Sequence, residues 1–224
     1  MKNTIRLRFK QVGESKWFLA LAAATLSLMF DSTYPPASIV RAQSAPAQKA
    51  APETTGESAA HKYFTDVQLV NQDGEKMRFY TDLLQGKVVI INTFFATCQG
   101  ACLPLNRNLQ KVQQALGDQV GKDVKIISIS VDPLVDTPAN LKEYAKKLNA
   151  KPGWYFLTGE KENVNFALRK IGQFVDNKQD HLNIFIIGNE RTGLWKKAFG
   201  LANSDELVKV VESVLNDKPV TTAQ

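Results

Sequence analysis

The sequence predicts an α/β domain with a central mixed β-sheet flanked by helices and an N-terminal β-hairpin. Between residues 88 and 172, apolar runs of strand length alternate with stretches of helical periodicity, which is the pattern of parallel strands connected by helices. After residue 184, two short strand-like runs and a terminal helix follow. A hairpin at that point adds antiparallel strands, so the sheet is predicted to be mixed.

The residues before position 61 are predicted to lie outside the folded domain. Residues 1–16 are basic and residues 17–30 are uncharged and mainly apolar, which is typical of a secretory signal. Because this apolar run is shorter than the roughly 20 residues that span a bilayer, residues 1–42 are predicted to be a signal peptide, with an uncleaved membrane anchor as the alternative. Residues 43–60 are rich in Ala, Pro, Gln, Ser and Thr and are predicted to be a flexible linker.

The charge distribution argues against a nucleic-acid partner. The net charge is +6, but residues 1–42 contain six of the 28 basic residues and two of the 22 acidic ones. The rest of the chain therefore has a net charge of only +2, whereas nucleic-acid binding needs basic residues clustered on a folded face. The chain has two cysteines, which excludes a four-cysteine zinc or iron–sulfur site.

The first element of the domain is predicted to be the β-hairpin. Residues 64–70 and 76–80 flank Asn71-Gln72-Asp73-Gly74, and such a cluster between two strand-like runs is a hairpin turn. Next, residues 88–95 form a run rich in β-branched and aromatic side chains. This composition predicts a strand that is buried on both of its faces.

The elements that follow are predicted from the same two periodicities. Leucine and valine recur at spacings of four, three and four after residue 101, which places them on one face of a helix. Proline and glycine mark helix boundaries further along the chain. These patterns predict helices at residues 101–116, 138–149 and 160–172 and strands at residues 124–131 and 154–157.

The C-terminal part is predicted to contribute two strands and one helix. An apolar strand at residues 184–187 is followed by a turn at Gly188-Asn189 and by a short strand around Trp195. Ser204 has the composition of a helix cap and precedes an amphipathic stretch. Residues 218–224 are predicted to be a flexible tail.

Cys98 and Cys102 lie just after the buried strand and at the start of the first long helix. Backbone N–H groups and the positive end of a helix stabilise an anion, so a thiolate is favoured there. The pair has three intervening residues, which differs from the C-x-x-C redox motif of thioredoxin. At this spacing the two sulfurs could bind one metal ion or form a disulfide. An inert structural disulfide remains an alternative, because export favours oxidation.

His181 is the second feature with chemical potential. It follows Asp180 and directly precedes the strand at residue 184, so in a mixed sheet its loop can return to the loop that carries the cysteines. Two thiolates and one imidazole form a soft set of ligands that suits Cu(I) and also holds Cu(II). Asp180 is predicted to orient the imidazole. His61, at the edge of the linker, is predicted to be a solvated surface side chain.

Several further motifs accompany these residues. They are residues 79–84, 128–133, 136–138, 153–154, 156–159 and 180–181. Together with the C-x-x-x-C pair, they make the chain from about Tyr63 to Leu215 resemble the Sco/SenC family of copper-binding, thioredoxin-like proteins. Two departures stand out: Gln99 follows the first cysteine where the family usually has proline, and after the second cysteine the proline is displaced to Pro104.

The resemblance implies a thioredoxin-like domain over residues 61–217 in which Cys98, Cys102 and His181 bind copper as Cu(I) or Cu(II). It also implies that the two cysteines cycle between dithiol and disulfide. The implied role is that of a metallochaperone, not an enzyme in the usual sense. It would deliver copper to the binuclear copper site of cytochrome c oxidase, or maintain the thiols of that site.

The implied partner is the copper-site subunit of the oxidase or another copper protein of the cell envelope. The expected location is the periplasm or the outer face of the cytoplasmic membrane, with membrane association through residues 17–30 as an option. The rival hypothesis is a thiol–disulfide oxidoreductase of the envelope that acts through Cys98 and Cys102. A copper-independent binding module with a structural disulfide is the third alternative.

Overall fold

The computed structural model of the chain describes residues 58–218. The predicted signal peptide or anchor (1–42) therefore lies outside the described residues, as does most of the predicted linker (43–60) and most of the predicted tail (218–224). The described part begins with a short helix that includes Ala59 and Ala60. Over residues 58–218, none of the helices combines the length and the apolar character that a membrane crossing requires.

The described residues form five α-helices and seven strands. The helices are α1 (Ala59–Phe64), α2 (Cys102–Leu116), α3 (Pro138–Lys147), α4 (Lys161–Lys170) and α5 (Ser204–Leu215). The strands are β1 (Gln68–Val70), β2 (Lys76–Arg78), β3 (Val88–Phe94), β4 (Val124–Ser130), β5 (Trp154–Leu157), β6 (Ile184–Asn189) and β7 (Leu194–Phe199). A π-helical turn (Phe79–Leu84) and two short 3-10 turns, Gly117–Gln119 and Lys178–Asp180, complete the connections.

The predicted fold class is confirmed. Five strands form one sheet in the order β5-β4-β3-β6-β7, and β1 and β2 form the predicted N-terminal hairpin. Strands β3, β4 and β5 are parallel, whereas β6 and β7 pair antiparallel to their neighbours. All seven residues of β3 are buried, because helices cover both faces of the sheet.

Strand β3 divides its side chains between two apolar cores. Val88, Ile90 and Phe94 contact the core that contains α2, α3 and α5, whereas Val89 and Ile91 contact the core that contains α4 and the π-helical turn. This alternation is the two-residue period of a strand. The central position of β3 fixes the direction in which the loop after it leaves the sheet.

The mixed topology brings two distant loops to one edge of the sheet. Strand β3 ends at this edge, and α2 begins there after the intervening loop. Strand β6 runs antiparallel to β3, with Ile186 opposite Ile91, so β6 begins where β3 ends. The loop between β3 and α2 and the loop before β6 therefore meet, which was the basis for grouping the histidine with the cysteines.

Two predicted boundaries are wrong at the C-terminal end. Strand β6 does not turn at Gly188-Asn189 but continues through Asn189, which pairs with both Val88 and Leu194. A glycine is needed at position 188 because a Cβ atom there would lie 2.1 Å from the Trp195 ring. Helix α5 is capped by Asn203 and not by Ser204, since the Asn203 carboxamide oxygen accepts a hydrogen bond from the Asp205 N–H at 2.8 Å.

The π-helical turn replaces the end of the second predicted hairpin strand. The Asp82 carboxylate accepts a hydrogen bond from the Arg78 N–H at 2.7 Å, and the Asp66 carboxylate accepts one from the Thr81 N–H at 2.8 Å. These carboxylates satisfy N–H groups at the start of the turn that a strand would have directed to a neighbouring strand. The strand β2 therefore ends at Arg78, before the turn.

Candidate metal centre

The two cysteines lie at the start of α2 and in the loop before it. Cys102 is the first residue of α2 and is 1% exposed, whereas Cys98 is half-buried in the loop. Both are thiols in this structure. The Cys98 N–H donates a hydrogen bond to the Phe95 carbonyl at 3.1 Å, which turns the loop back at the end of β3.

His181 follows the 3-10 turn Lys178–Asp180, and both of its ring nitrogens have partners. Nδ1 lies 2.7 Å from the Lys178 carbonyl oxygen, and Nε2 lies 3.2 Å from the Cys102 sulfur. A carbonyl oxygen only accepts hydrogen bonds, so in the neutral ring the proton is on Nδ1. Nε2 then presents its lone pair to Cys102, whose S–H donates. This is the tautomer that binds a metal through Nε2.

The prediction that Asp180 orients the imidazole is wrong. The backbone carbonyl of Lys178 takes that role, and Asp180 is exposed. A backbone carbonyl is a common partner for the second nitrogen of a metal-binding histidine. The sequence pattern could not reveal it, because every residue has a carbonyl group.

Cys98, Cys102 and His181 form a chain of contacts. The Cys98 side chain is close enough to the Cys102 thiol to raise its pKa, and Cys102 contacts His181. Within residues 58–218, no three His, Cys, Asp or Glu side chains are gathered closely enough to hold a metal ion as they stand. Coordination by all three residues therefore requires the Cys98 side chain or its loop to move. The three-ligand site stays a prediction.

The electrostatic environment differs from the one expected at a helix start. The pKa of the Cys102 thiol is raised to about 12, mainly by burial and next by the neighbouring Cys98 side chain. The helix start stabilises a thiolate, but desolvation of the charged form outweighs this effect at a site with 1% exposure. Cys102 therefore stays a protonated thiol at neutral pH, and it loses this proton when it binds a metal ion or is oxidised.

We expect Cys98 to be the reactive thiol towards small alkylating reagents. Reaction needs both access and a thiolate, and the buried Cys102 has neither. Iodoacetamide should therefore modify Cys102→Ser protein, which retains Cys98, much faster than Cys98→Ser protein at pH 8. Mass spectrometry over time measures the two rates. Equal rates in the folded variants would contradict the unequal environments of the sulfurs.

A buried carboxylate anchors the loop that carries Cys98. The Asp136 carboxylate, 1% exposed, accepts hydrogen bonds from the Ala96 N–H at 3.1 and 3.2 Å and from the Ser130 hydroxyl at 2.6 Å. Burial raises the pKa of Asp136, while the bonds from Ser130 and Ala96 act in the opposite direction. The sequence suggested only a helix start here. Thr137 is indeed the cap of α3, but the burial of Asp136 depends on tertiary structure.

A buried chain of polar side chains fixes α2 behind the thiols. The Trp154 indole N–H donates to the Ser128 hydroxyl at 3.0 Å, and that hydroxyl donates to the Asn92 amide oxygen at 2.7 Å. Asn92 in turn donates to Asn106 at 2.9 Å, and Asn106 donates to the Tyr144 hydroxyl oxygen at 3.0 Å. The chain links three strands to α2 and α3. Asn106 lies one helical turn after Cys102, so the chain holds the first turn of α2.

The other histidine, His61, does not have the solvated surface position that was predicted. Its ring stacks on Tyr80 with centroids 4.8 Å apart, and its Nε2 lies 3.2 Å from the Asp66 carboxylate. These contacts attach α1 to the π-helical turn. They account for the position of His61 without a metal.

The chain matches a family model over most of its length. The model described as SCO1/SenC matches residues 55–216. The SCO1 protein homolog of Bacillus subtilis is 29% identical over 153 residues, which cover 64% of this chain and 78% of the relative. A SCO2-like protein of Rickettsia conorii is 31% identical over 110 residues, so this chain spans only 51% of that relative's length.

Solved structures of similar proteins have the same fold. A SCO1/SenC family lipoprotein from Bacillus anthracis is 28% identical, with a TM-score of 0.57 over 66% of this chain and 91% of the other. BsSco, described as having a disulfide switch and as a member of the Sco family of cytochrome c oxidase assembly proteins, is 28% identical, with a TM-score of 0.56 over 67% and 92%. Copper-bound yeast Sco1 is 25% identical, with a TM-score of 0.57 over 70% and 95%.

Proposed function

The chain belongs to the SCO1/SenC family, and from this premise we propose that it is a copper metallochaperone of the cell envelope. It binds one copper ion through Cys98, Cys102 and His181, and the ion is its cargo. The recipient is the binuclear copper site of cytochrome c oxidase, or another copper protein of the envelope. The observation that carries the proposal is the 3.2 Å contact between His181 Nε2 and the Cys102 sulfur.

This contact supports copper chemistry for a specific reason. Thiol–disulfide exchange depends on the thiolate, its nucleophilicity and its access, and it does not need an imidazole at the second sulfur. Here the imidazole lone pair is directed at a thiol, and both groups are metal ligands. The thiol proton lies between them, where a metal ion would otherwise bind. Replacing the protons of both thiols with one Cu(I) ion leaves two thiolates and one neutral nitrogen, which together suit a soft cation. Copper binding then releases the thiol protons.

Copper-bound relatives add support to the choice of metal. The yeast Sco1 structure was solved with copper bound, and the fold of this chain superposes on it. Zinc would also accept this donor set, so identification of the metal needs direct competition.

A thiol–disulfide oxidoreductase is the second candidate, and the unequal cysteines favour it. The half-buried Cys98 is placed to attack the disulfide of a partner, and one partner sulfur leaves as a thiolate. Cys102 then attacks the resulting mixed disulfide. The partner gains two electrons, and the chain is left with a Cys98–Cys102 disulfide. The disulfide switch described for BsSco supports this candidate.

We also propose the location and organisation that residues 1–60 indicate. The basic and apolar order of residues 1–30 directs the chain out of the cytoplasm, whether residues 1–42 are cleaved or retained as an anchor. Residues 43–60 connect this segment to the domain at 61–217, and residues 218–224 form a tail. The domain therefore works in the periplasm or at the outer face of the cytoplasmic membrane.

The proposed function is tested by copper content and by rescue. Wild-type protein, reduced and reconstituted anaerobically with Cu(I), should retain one copper per chain after desalting, whereas Cys98→Ser and Cys102→Ser should retain little, because a single thiolate and an imidazole bind Cu(I) weakly. In a strain without this gene, added copper should restore oxidase activity. Rescue of oxidase activity by an added thiol reductant but not by copper would favour the oxidoreductase. Wild-type protein that retains no copper after reconstitution would contradict the metallochaperone.

A further inference from the structure

We propose that Lys178 is a positioning residue that holds the imidazole of His181 in place for copper. The proposal deepens the proposed function and rests on it. Lys178 lies three residues before His181 and is the first residue of the 3-10 turn that leads to it. Three contacts of this one residue, through its carbonyl, its ammonium group and its position over an aromatic ring, connect His181 to the ends of β3 and β4.

The backbone of Lys178 determines the orientation of the ring. Its carbonyl oxygen lies 2.7 Å from His181 Nδ1, which directs Nε2 towards the Cys102 sulfur. The orientation of the imidazole therefore depends on the position of this single carbonyl group. A shift of Lys178 by one ångström would lengthen the Nδ1 hydrogen bond beyond its normal range.

The side chain of Lys178 holds that carbonyl group in place. Its ammonium nitrogen lies 2.6 Å from the Asp132 carboxylate, just after β4, and 5.1 Å from the centre of the Phe95 ring, just after β3. The Phe95 ring also meets the His181 ring edge to face at 5.5 Å. Lys178 and His181 thus pack on the same aromatic ring, three residues before Cys98. The ammonium group, the ring and the imidazole form one packed unit.

The ion pair between Lys178 and Asp132 is buried enough to hold the Lys178 backbone in a fixed position. The Asp132 side chain is 15% exposed and the Lys178 side chain 36%, unlike the fully solvated pairs that contribute almost nothing. Asp132 is itself fixed, because its N–H donates to the Ser130 hydroxyl at 3.0 Å. Among the described residues, this is the ion pair that connects residues 172–183 to another part of the fold. Removing the ammonium group therefore removes this ion pair from the segment, whereas the hydrogen bond from the Gly200 N–H to the Asn183 carbonyl at 2.8 Å remains.

The test compares Lys178→Met with wild type. Methionine keeps an unbranched apolar side chain and the backbone carbonyl but lacks the charge. We expect Lys178→Met to bind Cu(II) about 10-fold more weakly, at the lower end of the losses seen when groups that orient a metal-binding histidine are changed, and to alter its thiolate-to-Cu(II) absorption band. Cu(I) affinity should change less, because two thiolates already satisfy Cu(I). Lys178→Arg, which can pair with the carboxylate and stack on the ring, should restore both readouts.

Two controls separate positioning from general destabilisation. Lys142→Met removes a lysine of α3 that pairs with Asp73 at 3.0 Å and not with the segment that carries His181, and should leave Cu(II) binding unchanged. In a double-mutant cycle, Asp132→Asn should weaken Cu(II) binding in wild type but add little in Lys178→Met protein. Additive effects of the two substitutions, or failure of Lys178→Arg to restore binding, would overturn the proposal.

A measurement without copper separates this proposal from the proposed function. In the reduced apoprotein, the ¹⁵N shifts of His181 should indicate the Nδ1–H form in wild type and in Lys178→Arg. In Lys178→Met these ¹⁵N shifts should move towards values averaged over the two neutral tautomers, because the ring is no longer held in one orientation. Unchanged His181 shifts would overturn the positioning role even if copper binding is intact. Wild-type protein that holds the Nδ1–H form but binds no copper would instead contradict the proposed function alone.

Discussion

His181→Ala should lose Cu(II) but keep most of its Cu(I) and its thiol chemistry. The substitution removes the one nitrogen of the proposed ligand set and leaves two sulfurs, so Cu(II) affinity should fall by about 100-fold or more, beyond the loss typical of a missing ligand partner. Cu(I) binding should weaken less, because a soft d¹⁰ ion accepts two thiolates. The rate at which the variant reduces a small-molecule disulfide should stay close to that of wild type, because exchange depends on thiolate and access.

This variant separates the two candidate functions, whereas cysteine variants cannot, because both functions need both sulfurs. The matched control is His61→Ala, since His61 is the other of the two histidines in the chain and contacts Tyr80 and Asp66. Copper binding is measured by competition with chromophoric chelators, and oxidase activity is measured in cells that contain only the variant. An His181→Ala protein that no longer retains copper in the cell yet restores oxidase assembly would reject the metallochaperone in favour of the oxidoreductase.

Asn106→Leu should give the second large effect, this time on stability. Leucine is close to asparagine in size, but it leaves the Asn92 amide donor and the Tyr144 hydroxyl oxygen without the partners that Asn106 provides. Each unsatisfied buried polar group costs about 1–3 kcal/mol. We therefore expect the free energy of unfolding to fall by about 2–6 kcal/mol.

Urea unfolding followed by circular dichroism measures this change as a lower midpoint at an unchanged slope. Gln114→Leu provides the control on the same helix, because Gln114 is exposed and its replacement should change stability by less than about 0.5 kcal/mol. Tyr144→Phe in the Asn106→Leu background should cost less than it does in wild type, because the hydroxyl group has already lost its donor. A neutral Asn106→Leu variant would mean that water replaces the missing bonds.

The fold was accessible from the sequence because its strongest signals are periodic. The run at residues 88–95 and the spacing of Leu105, Leu109, Val112 and Leu116 depend on burial of one face or of both faces, and the structure has β3 and α2 at these positions. The predicted boundaries of β6 and α5 were wrong because a single tertiary or capping contact determines where each element begins or ends. The Trp195 ring over Gly188 is one example, and the Asn203 cap is another.

Only some residues of the candidate site could be predicted from the sequence. Cys98, Cys102 and His181 stand out because their residue types are rare in this chain and chemically reactive. Lys178 and Asp136 do not stand out, because lysine and aspartate are common and their roles arise from contacts made only in the folded chain. The high pKa of Cys102 was missed for the same reason: a helix start is visible in a sequence, whereas the extent of desolvation is not.

The sheet order has a consequence for the timing of folding. Cys102 and His181 are 79 residues apart in sequence. Strand β6 pairs with β3, but it is synthesised only after β3, β4 and β5. On the proposed route of export, a chain that emerges N-terminus first presents both thiols to an oxidising compartment before His181, which contacts Cys102, has arrived. Oxidation in that interval would close the pair as a disulfide without the histidine. A reductant that acts during maturation, and not only afterwards, would then set the fraction of chains that can accept copper.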